Sequence, residues 1–288
     1  MNLTGRNKAA NLLILFTFTL VIYSCSTKKN NFVNRKYHNT TAKYNGYFNG
    51  NQSLKAGIKK LEENHKDNFS EIIHVFKTGD LAKNQTTHPY MNKAIQKGSI
   101  VIQRHSMNIK GKEYNKWIDD NYFMIGKAYF YKGEFDEAIK TFNYIKEKYK
   151  RKPIKYDASL WLARCFAEKE DYVAAEMELD QLQTDRKFPE KLDDELATIL
   201  ADFYLKQDNY ILALDELNTA INLIKKRKNK TRFYFILAQL NQHHQNYNKA
   251  IKYYQKVIKA NPEYEMVFNS KINKAQCVQG NSKHSAKV

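Results

Sequence analysis

Paired carboxylates, histidines and cysteines are the side chains with which this chain could do chemistry, and their spacing points to capping and packing instead. His243-His244 is the only histidine doublet. Adjacent residues of a helix point to different sides, and no cysteine or carboxylate pair stands at ligand spacing, so the doublet reads as a turn surface and not a metal site. Asp119-Asp120, Glu134 with Asp136-Glu137, and Asp193-Asp194-Glu195 each fall at an expected helix start or turn. There a carboxylate caps exposed N–H groups and meets the positive end of the helix dipole. No glycine-rich phosphate loop, HExxH, nucleophile elbow or CxxC pair is present. The expectation is a chain that is not an enzyme and has no catalytic residues, metal, cofactor or small-molecule substrate.

Cys25 stands apart. Arg6 and Lys8 precede an apolar run from Ala9 to Tyr23, broken only by Asn11, Thr17 and Thr19, which has the layout of an export signal. The run is shorter than the roughly 20 apolar residues a spanning helix needs. Ile22-Tyr23-Ser24-Cys25 resembles a lipobox. That resemblance implies that residues 1–24 are a lipoprotein signal peptide and that the Cys25 thiol receives diacylglycerol, with further acylation (palmitate) of the new amino group. One acyl chain binds a membrane only marginally at about 0.8 kcal/mol per buried methylene, whereas several anchor essentially permanently. Residues 25–36 are expected to form a polar tether. The Lys, Asn, Tyr and Ile bias of the chain resembles that of Bacteroidetes proteins, whose surface-exposed lipoproteins usually carry acidic residues just after the cysteine; none stand there in this chain, so the resemblance implies the periplasmic face of the outer membrane.

The net charge is +18, of which Arg6 and Lys8 would leave with the leader. So basic a surface attracts acidic protein faces, lipid headgroups or peptidoglycan. Nucleic acid is disfavoured, since an exported protein does not ordinarily meet it and no RRM, KH or zinc-finger signature appears.

Four Pro and ten Gly in 288 residues favour long helices, and self-comparison shows their arrangement. Tyr122, Ile125-Gly126, Tyr129, Ala138 and Phe142 form one set of landmarks around a turn at Gly133. Leu162-Ala163 with Ala175, Leu200-Ala201 with Ala213, and Leu237-Ala238 with Ala250 repeat it. The small first-helix residues at 126, 163, 201 and 238 are 37, 38 and 37 apart, and the second small residue always follows 12 later. Small residues let paired helices approach closely while the large ones fill the flanking space. This pattern resembles the tetratricopeptide (TPR) consensus, which implies an all-α TPR helical-hairpin solenoid behind the signal peptide. Four repeats are expected over 119–262. Cys165 and Cys277 occupy equivalent positions three repeats apart, beyond the about 7 Å that a disulfide allows, and read as small core residues.

In such a stack the first helices line a concave face. Phe123, Lys127, Phe130, Tyr131, Leu160 and Arg164 are placed there by counting from the small landmarks, a mixed aromatic and cationic set suited to an acidic or extended peptide. The alternative is that several of them pack between neighbouring repeats.

Residues 37–118 are expected to be a degenerate helical region, with two helices over 39–65, a loop over 77–88 and a helix over 90–107. Residues 263–288 read as an incomplete fifth repeat, a helix from Glu263 to Val278 followed by a polar tail, which suggests a truncated form of a longer protein. The words His38-Asn39-Thr40-Thr41-Ala42 and Tyr44-Asn45-Gly46-Tyr47-Phe48-Asn49, ahead of the repeats, resemble the PorW/SprE lipoproteins of Bacteroidetes. That resemblance implies a lipid-anchored scaffold of gliding motility and type IX secretion, binding the outer-membrane translocon and the periplasmic ring and motor components. Outer-membrane protein assembly or peptidoglycan association is the alternative within the same class. A periplasmic enzyme or carbohydrate-uptake subunit is the alternative from another class.

Overall fold

The computed structural model describes residues 26–285 apart from 82 and 226. The expected signal peptide, the Cys25 lipidation site and the last three residues lie outside that range. The chain forms two compact units, one from residues up to 59 together with 85–132, the other from 60–84 together with 133 onward.

In the first unit, helix α1 (Phe32–Thr41) starts at Asn31, whose side chain accepts a bond from the Asn34 backbone at 2.7 Å. The Asn34 side chain turns back to the Ser26 and Lys29 carbonyls at 2.9 and 3.1 Å. The expected 25–36 tether is therefore corrected: two asparagines satisfy the backbone and helix begins at Phe32.

The two separate helices expected over 39–65 are also corrected. Right-handed helical dihedrals at Thr41 and Phe48 carry α1 through a π-helical turn (Ala42–Tyr47) into α2 (Phe48–Asn64) without a break. The π turn lies against α3 (His88–His105). A Cβ on Gly46 would stand 1.8 Å from Val101 Cγ2, so only glycine allows this approach.

After α3, Asn108–Ile109 pairs antiparallel with Lys112–Glu113 around Lys110 and Gly111, both at positive φ, in a tight hairpin that an all-α expectation omits. The Glu113 carboxylate accepts bonds from the Met107 and Asn115 backbones, each at 2.8 Å. The Asn115 side chain donates to the His105 and His38 carbonyls at 2.8 and 3.2 Å. Helix α4 (Ile118–Lys132) closes the unit and packs on α3.

The second unit holds α5 (Phe135–Lys148), α6 (Ile154–Glu168), α7 (Tyr172–Thr184), α8 (Asp193–Lys206), α9 (Tyr210–Leu223), α10 (Arg227–His243), α11 (Tyr247–Ala260) and α12 (Tyr264–Ser285). From α5 on, each helix packs on the one that follows it, with the hairpins α6/α7, α8/α9 and α10/α11 matching the expected repeats. Ala163, Ala175, Ala201, Ala213, Ala238 and Ala250 are all fully buried, as close helix pairing requires. Cys165 and Cys277 are buried and neither is in a disulfide. Burial pushes their thiols up to about 12 and about 11 respectively, which makes them inert packing groups.

The turns share one device. Gly133, Glu170, Asp208 and Gln245 are all left-handed, with φ of 79°, 60°, 55° and 59°. Only the first is the residue type that adopts this backbone without cost. After the next two, Asp171 and Asn209 cap α7 and α9 by accepting from Ala174 and Leu212 backbone N–H groups.

Helix α12 continues to Ser285, past the Val278 end expected for it. Gly280 sits beneath the Tyr247 ring, where a Cβ would come within 2.7 Å. The helix is held to its neighbour by packing where its local sequence reads as a tail.

Candidate functional site

Residues 65–84, expected as part of a helical region with a loop at 77–88, contain no helix among the described residues. They form a strap on the first helices of the repeats. Ile73 and Val75 are buried in one core cluster with Ala197 and Ala201 of α8 and with Phe235, Ile236 and Tyr254, while Phe69 and Phe76 pack at its edge. Phe69 meets Phe235 edge to face at 5.3 Å.

Polar groups fix the strap's register. Arg232 on α10 donates two bonds to the Asp67 carboxylate, at 2.7 and 2.6 Å, and its Nε reaches the His74 and Val75 carbonyls at 2.8 and 3.1 Å. Two turns further along α10, Gln239 accepts from the Ile73 backbone N–H at 3.0 Å and donates to the Glu71 carbonyl at 2.5 Å. Gln239 thus treats the strap as a neighbouring strand would, pairing one N–H and one C=O of an extended backbone. Burial opposes the charge on Asp67, yet bonding to Arg232 and the nearby His65 hold its carboxyl below the usual carboxylate range. Lys77 closes the strap on Glu263 at 2.8 Å.

The sequence-derived concave set is distributed differently from expectation. Phe130, Tyr131, Leu160 and Arg164 are buried, in keeping with the alternative that they pack between neighbouring helices. Leu160, on α6, is fully buried. Arg164 does meet an extended peptide, but the peptide is the chain's own strap, with the guanidinium 3.9 Å from the Phe76 ring and 4.3 Å from the Trp161 ring. Phe123 and Lys127 are half-buried and pair with each other, the ammonium 5.7 Å from the ring. Phe123, Lys127, Phe130 and Tyr131 belong to the first unit and Leu160 and Arg164 to the second. The residues missed by sequence reasoning are Asp67, Phe69, Ile73, Val75 and Phe76. The apolar run Ile72-Ile73-His74-Val75-Phe76 was their visible signal.

Family models described as tetratricopeptide repeat match residues 123–190 and 231–264. The hairpins in those two stretches are tetratricopeptide repeats in sequence, and the helical-hairpin fold of the rest is of the same kind. A TPR array is a protein-interaction scaffold, and that coarse function belongs to this chain. No curated protein matches it in sequence. Among solved structures, it is similar to a chain in the crystal structure of the APC/C hetero-tetramer Cut9–Hcn1, at 12% identity and a TM-score of 0.48 over 95% of this chain and 51% of that one. The chain therefore spans about half the length of that relative. Among the described residues no helix is long and apolar enough to cross a membrane.

Proposed function

We propose that the chain is a lipid-anchored scaffold on the periplasmic face of the bacterial outer membrane, holding proteins of gliding motility and type IX secretion to one another. The observation that carries the scaffold part is the strap. The first helices of the TPR hairpins hold an extended polypeptide by its backbone through Arg232 and Gln239 and by its side chains through the core around Phe235. The envelope setting is supported by the export-type leader and the lipobox-like Ile22-Tyr23-Ser24-Cys25, and the machinery by the words around His38 and Gly46.

Two measurements test this reading. Cys25→Ser should release the protein from the membrane fraction, and retention there would remove the lipid anchor from the account. Affinity capture from solubilised envelope should recover type IX translocon, ring or motor components, with deletion abolishing colony spreading and cargo secretion. Recovery of barrel-assembly proteins, or secretion unchanged by deletion, would refute the assignment to that machinery.

A further inference from the structure

Where the strap passes the turn ends of α6/α7 and α8/α9, it closes one side of a cavity of about 510 Å³. Its wall inverts the charge of the protein. Five carboxylates line it, from Glu71, Glu168, Glu170, Asp202 and Asp208, in a chain whose net charge is +18. The cations on the wall are Lys206 and, when protonated, His74. Lys206 is committed to Glu168 at 3.0 Å.

Asp202 is the informative residue. It is 7% exposed, faces the cavity from α8, and among the described residues no hydrogen bond engages its carboxylate, Lys206 one turn along the helix acting on it through charge alone. A carboxyl so far out of water without a hydrogen bond is costly, and helix interiors offer many residues that would avoid the cost. Burial pushes its carboxyl above the ordinary value against the pull of Lys206, Arg164 and His74. Two of the other acids carry a cost of their own: Glu170 and Asp208 hold left-handed backbone at the turns where the first repeat has Gly133.

The wall also selects among cations. Among the described residues no three His, Cys, Asp or Glu side chains converge closely enough to hold a metal ion. Carboxylates dispersed around a space of this size suit a group that spreads several N–H donors, and Tyr172 and Tyr210 line the same wall. We propose that this cavity binds an organic cation, an alkyl-guanidinium or alkyl-ammonium group of the kind carried by an arginine or lysine side chain of a docked protein. Only the protein source of the cation rests on the scaffold reading.

Calorimetric titration of the purified full chain tests this with two probes, spermidine and a short glycine-serine peptide containing one arginine. At least one probe should saturate a single site, and Asp202→Asn should weaken it about tenfold or more with the helical circular dichroism unchanged. Asp208→Asn, at an exposed turn, should weaken the same site by about threefold to fivefold and keeps the question answerable if position 202 does not tolerate substitution. Tighter binding of the peptide assigns the site to a protein side chain, and tighter binding of spermidine to a free polyamine. Absence of saturable binding by both probes, affinities unchanged in both variants, or saturation by calcium chloride alone would overturn the proposal. Neither probe requires an envelope partner, so a failed titration leaves the scaffold reading intact and a failed affinity capture leaves this site intact.

Discussion

Arg232 is the residue on which the strap depends, because one guanidinium holds a carboxylate and two backbone carbonyls. The pair is largely out of water, with Asp67 7% and Arg232 12% exposed, so removing one member strands the other. Arg232→Ala is expected to cost about 3 kcal/mol of unfolding free energy, read by urea denaturation, and to speed amide exchange at 69–76. The Asp67 carboxyl is held down in the folded state, so its stabilisation is complete above the ordinary value of 3.8 and is lost as pH falls from there through the lower folded value. Strap exchange should therefore accelerate in that acid window in the wild type and not in the variant. Glu170 and Asp208 provide the opposite sign: replacing either by glycine relieves left-handed strain and should raise stability by about 0.5–1 kcal/mol while weakening the cation site. None of these roles was visible in residue type, since Asp67 and the strap backbone lie more than 150 positions from Arg232 and Gln239 and meet them only after the repeats have stacked. The small landmarks were visible because they recur in register.

At the scale of elements, packing decided what local sequence left open. Helices α5 to α11 follow the expected repeats because each carries its own large-small pattern, and a helix needs little more than an apolar face and a neighbour. The region before them had no second copy to compare with. Its continuous α1–π–α2 rod depends on Gly46, which sits in the very word that suggested a lipoprotein family and whose absent Cβ makes room for Val101. Gly46→Ala should cost about 2–3 kcal/mol despite the better helix propensity of alanine, since the methyl group overlaps a branched side chain in a packed interior. Val101→Ala in the same chain should recover part of that loss. A double-mutant cycle by thermal denaturation measures the coupling, and additivity would mean that the π turn is set by something other than this contact. The hairpin at 108–113 was legible only as Lys110-Gly111, a weak turn signal inside a helical expectation.

For the molecule as a whole, the consequence is that the second unit's peptide-holding face is already filled from within the chain. Ile73 and Val75 are 2% and 4% exposed, so lifting the strap would uncover the apolar wall around Ala197, Ala201 and Phe235. Such a wall does not stay bare in water: it recloses, self-associates or takes another peptide. A chain in which Asp67, Phe69, Ile73, Val75 and Phe76 are replaced by serine and glycine keeps Arg232 and Gln239 but offers them no backbone in register. It should bind a synthetic peptide of residues 65–77 in trans, measurably by fluorescence anisotropy, and the wild type should not, because its tethered copy competes at high effective concentration. Adding Arg232→Ala to the replaced chain should abolish that binding. If the replaced chain stays folded and monomeric yet ignores the peptide, the strap is a fixed part of the core. Partners would then have to use the outer faces of the second helices, where Val173, Met177 and Ile211 stand exposed.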